Sequence, residues 1–102
     1  MTNPTPPSGY VVEEVDLTLI ELCRACQAPE ETVRAWVIEG VIEPKGTRPD
    51  EWRFSGGALQ RARRAMTLAR DLDINVAGVA LVLDLLDEIA ELRARIERLQ
   101  SE

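Results

Sequence analysis

Two short helical segments joined by a tight turn, a turn-rich β-prone stretch behind them and a closing run of aliphatic residues at heptad spacing predict a mainly α fold. The architecture they spell is a winged helix-turn-helix followed by one long helix that pairs with a second copy. The chain has 102 residues, enough for one domain rather than two. Residues 1–16 read as a tail with a possible short strand, 17–75 as the winged helix-turn-helix domain and 76–102 as the dimerisation helix.

The opening MTNPTPPSG holds three of the six prolines and no apolar periodicity, which predicts an extended or disordered tail. Tyr10 to Val15 (YVVEEV) is β-prone and reads as a short edge strand. Thr18 with Glu21 three residues on has the capping-box form, and Leu19, Leu22, Cys23 and Cys26 follow at helical spacing. After a break at Gln27 and Ala28, Pro29-Glu30-Glu31 opens a second helix with Val33, Trp36 and Val37 as its buried stripe. Gly40 supplies the left-handed position that ends it. Val41 to Pro44 and Trp52 to Phe54 flank a loop with Gly46 and Pro49, the pattern of a small hairpin or wing. Ser55 caps a third helix running through Gln60, Met66 and Leu72, weakened at its start by Gly56 and Gly57.

The last segment, Val76 to Gln100, carries two apolar stripes. Val82, Leu85, Ile89, Leu92, Ile96 and Leu99 form an a/d seam, and Val79, Leu83, Leu86 and Ala90 lie on a neighbouring face. One helix with two stripes needs two partners. The second stripe is assigned to its own domain and the seam to a homodimer. Glu88, Arg93 and Arg95 beside the seam leave the direction of the paired helices open.

The absence of histidine removes every Ser-His-Asp or Cys-His arrangement and every imidazole zinc site. Cys23-Arg24-Ala25-Cys26 has metal or redox spacing, yet two thiolates half-fill a tetrahedral site and nothing in the sequence completes it. Cys23 is therefore expected in the core and Cys26 partly buried at the helix end. No glycine-rich phosphate loop or base–nucleophile pair stands out, so neither enzyme activity nor a cofactor is expected. No run of about 18 apolar residues exists, the chain shows no leader pattern, and two cysteines suit a reducing compartment. The expected location is the cytoplasm, with no membrane partner.

Charge is segregated. The formal net charge is −6, but residues 45–70 hold seven basic groups (Lys45, Arg48, Arg53, Arg61, Arg63, Arg64, Arg70) against two acidic ones. As a DNA reader the chain would use Arg34, Lys45, Arg48 and Arg53. Against this, the first turn of the second helix, which enters the major groove in such motifs, carries Glu30 and Glu31, which phosphates repel. DNA binding is therefore expected to be weak or absent.

Thr32-Val33-Arg34 followed by Glu39-Gly40-Val41-Ile42-Glu43-Pro44 resembles the second helix and wing start of MerR-type regulators. The sequence departs from them at Ala35-Trp36-Val37 and Glu51-Trp52-Arg53-Phe54. It is more similar to a MerR-like offshoot, the CbpM chaperone-modulatory family. Leu17-Thr18-Leu19-Ile20-Glu21-Leu22-Cys23, Glu30-Glu31-Thr32-Val33, Gly40 to Pro44, Trp52-Arg53-Phe54 and Ala65 to Leu92 follow that family's pattern in order and spacing. The resemblance implies a MerR-like winged helix-turn-helix whose paired long helices run antiparallel. It also implies a partner: the J-domain of a DnaJ-type, CbpA-like co-chaperone, whose work with DnaK and whose DNA association the family restrains. J-domains present a basic helix to DnaK, so an acidic adaptor complements it. On charge alone the candidate contacts are Glu30, Glu31, Asp84, Asp87 and Glu91. The alternative is a MerR-type DNA-binding transcriptional regulator.

Overall fold

The computed structural model describes residues 15–101. In chain order these form β1 (Asp16–Thr18), α1 (Leu19–Cys26), α2 (Glu30–Ile38), one 3₁₀ turn (Pro49–Glu51), β2 (Arg53–Ser55), α3 (Gly56–Leu72) and α4 (Val76–Gln100). The proline-rich tail and all of the expected Tyr10–Val15 strand except Val15 lie outside the described residues, and Val15 itself is not in a strand.

Local chemistry sets the helix starts. The Thr18 hydroxyl accepts from the Glu21 N–H and the Glu21 carboxylate accepts from the Thr18 N–H, a closed capping box. Ser55 accepts from the Ala58 N–H to start α3, and Asn75 accepts from the Gly78 N–H to start α4. Gln27 takes the left-handed conformation (φ 55°) that ends α1, and Gly40 (φ 80°) redirects the chain after α2.

The sheet differs from the expected wing hairpin. β1 pairs antiparallel with β2, Leu17 opposite Phe54, and of the hairpin only a single bridge survives, Lys45 opposite Arg53. The reason lies in the core: Val41 and Ile42 are buried among the helices instead of forming a strand, and Pro44 has no N–H to give to a ladder. The Arg53–Ser55 edge is left open, and the segment just before α1 fills it.

Leu22, Val33, Trp36, Val41, Phe54, Val79 and Leu83 form the fully buried centre. α3 presents Ala58, Ala62 and Ala65 to it, small side chains that let neighbouring helices pack closely. The cysteine expectation is reversed. Cys26 is buried and Cys23 only half-buried, because the inward stripe of α1 runs Leu19, Leu22, Cys26 and leaves Cys23 on its flank. Burial pushes both thiols up from their ordinary pKa, so neither is an activated thiolate.

The two stripes of α4 separate in space. Val79 and Leu83 are buried against the domain, while Leu86 and Ala90 lie past its edge and are exposed. Of the seam, Val82 is half-buried and Leu85, Ile89, Leu92, Ile96 and Leu99 are exposed, from 44% for Ile89 to 73% for Leu99.

Candidate functional site

The start of α2 is capped by Pro29 without a side-chain hydrogen bond, and the carboxylates of its first turn complement the helix dipole instead. Glu30 accepts from Arg34 one turn later, with 2.8 Å to Nε and 2.7 Å to Nη2. The same guanidinium lies over the Trp52 ring, 5.9 Å from its centroid. Glu31 has no ion-pair partner among the described residues.

Along the wing Arg48 and Arg53 are engaged by nearby carboxylates. Arg48 forms a fork with Asp50 (2.7 and 3.2 Å) and lies 3.8 Å from Glu51. The Arg48 guanidinium holds the Asp50 carboxyl below its ordinary pKa. Arg53 sits 3.9 Å from Asp16 and donates to the Trp52 carbonyl. Of the four residues a DNA reader would use, Lys45 alone has no ion pair among the described residues.

On α4, Asp84 and Asp87 converge on one guanidinium. Arg61 of α3 donates from Nη2 to Asp84 at 3.0 Å and from Nη1 to Asp87 at 2.7 Å, while its Nε donates to the Val41 carbonyl. One side chain thus ties α3, the chain leaving α2 and the long helix together. Glu91 lies further along, 3.7 Å from Arg95 on the same helix. Among the described residues no cluster of three or more Cys, Asp or Glu side chains is placed to hold a metal ion, and no helix is long and apolar enough to cross a membrane.

The model of the MerR HTH family regulatory protein matches residues 17–101. The chain is 38% identical over 93 residues to the chaperone modulatory protein CbpM of Coxiella burnetii (strain Dugway 5J108-111), covering 90% of this chain and 88% of that protein. It is 39% identical over 80 residues to the protein of the same name in Pseudomonas putida (strain W619), covering 78% and 79%. For that of Pseudomonas entomophila (strain L48) the identity is 36% over 80 residues. The chain belongs to the CbpM family. Its MerR-type helix-turn-helix and mainly α fold are those of a regulatory module.

In this CbpM-family chain the five acidic candidates come from two helices. Glu30 and Glu31 sit on the helix-turn-helix edge, whereas Asp84, Asp87 and Glu91 sit on α4, where the first two are joined to Arg61. In the sequence Arg61 is only one of the seven cations of residues 45–70. The signal that marks it is indirect: Asp84 and Asp87, three residues apart, lie on the same side of the buried Leu83, so one cation on the facing helix can meet both.

Proposed function

We propose that the chain is a non-enzymatic chaperone modulator: a homodimer that binds the J-domain of a DnaJ-type, CbpA-like co-chaperone and restrains both its co-chaperone work and its DNA association. The observation that carries this reading is the charge state of the helix-turn-helix edge. Where a DNA reader offers free cations, Arg34, Arg48 and Arg53 are each held within 4 Å of a carboxylate. Such a surface repels a phosphate lattice and suits a basic protein partner. The names borne by the relatives, chaperone modulatory protein CbpM, support the same reading.

The test is co-elution and calorimetry with the full-length cognate co-chaperone. A complex forms with the intact co-chaperone and not with a form lacking its J-domain, and it weakens as salt rises. No complex at micromolar concentration would sink the reading.

The seam supports the dimer. Five of its large aliphatic side chains are exposed in the single chain, and covering each contributes on the order of 1 kcal/mol at half-burial. Ile89→Asp puts a charge in the middle of that seam and is expected to halve the molar mass in light scattering. An unchanged mass would place the interface elsewhere. The MerR-type match favours one second reading, a DNA-binding regulator that uses Arg34, Lys45, Arg48 and Arg53. A gel shift at low salt decides it: no shift at micromolar dimer rules that reading out.

A further inference from the structure

The starts of α1 and α2 and the 3₁₀ turn enclose a groove of 690 Å³, with an apolar side made by Leu19, Ile20, Pro49 and Trp52. Ile20 is 58% exposed there. Trp52 is half-buried, held edge-on against Phe54 with the two rings 81° apart. Glu30 and Asp50 line it together with Arg34 and Arg53, and just outside stand three more carboxylates (Asp16, Glu21, Glu51) against two more cations (Lys45, Arg48). The groove is therefore apolar within, balanced in its lining charges and acidic by one charge when its rim is included.

Arg34 occupies the two places in the groove that favour a cation. Its guanidinium is bound to Glu30 at 2.7 Å and lies over the Trp52 ring at 5.9 Å. Both partners are accessible, the Glu30 side chain being 51% exposed. An exposed pair one helical turn apart is held weakly, so an incoming cation can exchange with it.

We propose that this groove is the docking site for a basic helix of the partner, and that Arg34 is an internal place-holder which the partner's cation displaces from Glu30 and Trp52. The proposal rests on the J-domain reading above and adds the surface to it. The occupant is a helix carrying an aliphatic side chain beside a lysine or arginine. The aliphatic group covers Ile20 and Trp52, the cation takes Glu30, and the surplus negative charge of the rim attracts the remaining positive charge. A nucleic acid would make the opposite demand, since its phosphates need Arg34 free.

The experiment is calorimetry of the full chain against the full-length cognate co-chaperone. Ile20→Ala, on an exposed helical position, is expected to weaken binding about tenfold. Arg34→Gln is expected to tighten it about threefold by removing the competitor. Asp84→Asn/Asp87→Asn, on the α4 surface, is expected to leave affinity within twofold. Melting curves run beside each titration confirm that the variants are folded. Loss of affinity in Arg34→Gln, no change in Ile20→Ala, or a tenfold loss in the α4 pair would each overturn the groove assignment while leaving the J-domain reading standing. A wild-type chain that does not bind at all overturns both.

Discussion

Glu30 of α2 is held by Arg34 one turn along the same helix, whereas Asp84 and Asp87 of α4 are held by Arg61, which reaches them from α3 across 23 and 26 residues of sequence. The two arrangements use the same chemical groups. They differ in reach and in the burial of the cation: the Arg61 side chain is 24% exposed and the Arg34 side chain 41%, while the carboxylates are exposed in both. A local, wet pair forms and breaks without moving anything else. A guanidinium that also serves the carbonyl of the fully buried Val41 cannot leave without stranding that carbonyl and loosening α4 from α3. Asp84 and Asp87 are therefore part of the architecture, whereas the Glu30–Arg34 pair can open without disturbing the fold.

The contrast can be broken most directly at Arg61. Arg61→Ala removes two ion pairs and leaves the Val41 carbonyl without its donor, and is expected to cost about 2 kcal/mol in urea unfolding. A loss under about 0.5 kcal/mol would show that the junction is not structural. Removing the acceptors instead, in Asp84→Asn/Asp87→Asn, keeps the Arg61–Val41 bond and is expected to cost about 1 kcal/mol. If that double variant is as damaging as Arg61→Ala, the carboxylates and not the carbonyl dominate. Glu30→Gln closes the series. Its stability is expected to stay within about 0.5 kcal/mol of wild type, while its affinity for the co-chaperone falls several-fold. A stability loss as large as that of Arg61→Ala would erase the distinction between the two clusters.

Caps can be judged on the same scale. Thr18→Ala opens the capping box at the start of α1 and is expected to cost about 1 kcal/mol, visible as a lower melting temperature. Because Thr18 also lies in β1, opposite Arg53, hydrogen exchange at β2 reports whether the cap and the strand pair fail together.

Much of this was legible residue by residue. Thr18 with Glu21 and Ser55 each bond to a backbone N–H three residues on, so the information lies inside one turn of chain; Asn75 does the same at the start of α4 but is not singled out by its sequence. The a/d spacing of α4 is equally local, and the helix runs over the whole of Val76–Gln100. The candidate site was legible only as a list of charges. Glu30 and Arg34, four residues apart on one helix, can be paired from sequence, but Trp52 comes to the same guanidinium from the wing. The apolar side of the groove joins residues from three elements.

By itself, then, the sequence determined the helices, the caps at Thr18 and Ser55 and the membership of the CbpM family, because each rests on periodicity, on a hydrogen bond within a turn or on residue order. The tertiary structure decided that β2 takes its partner from the segment before α1 instead of from a wing hairpin, that Cys26 and not Cys23 is buried, and that Arg61 claims Asp84 and Asp87. Those outcomes depend on which surfaces remain unpaired after the core has closed around Trp36 and Phe54, a competition among segments far apart in the chain that no local pattern records.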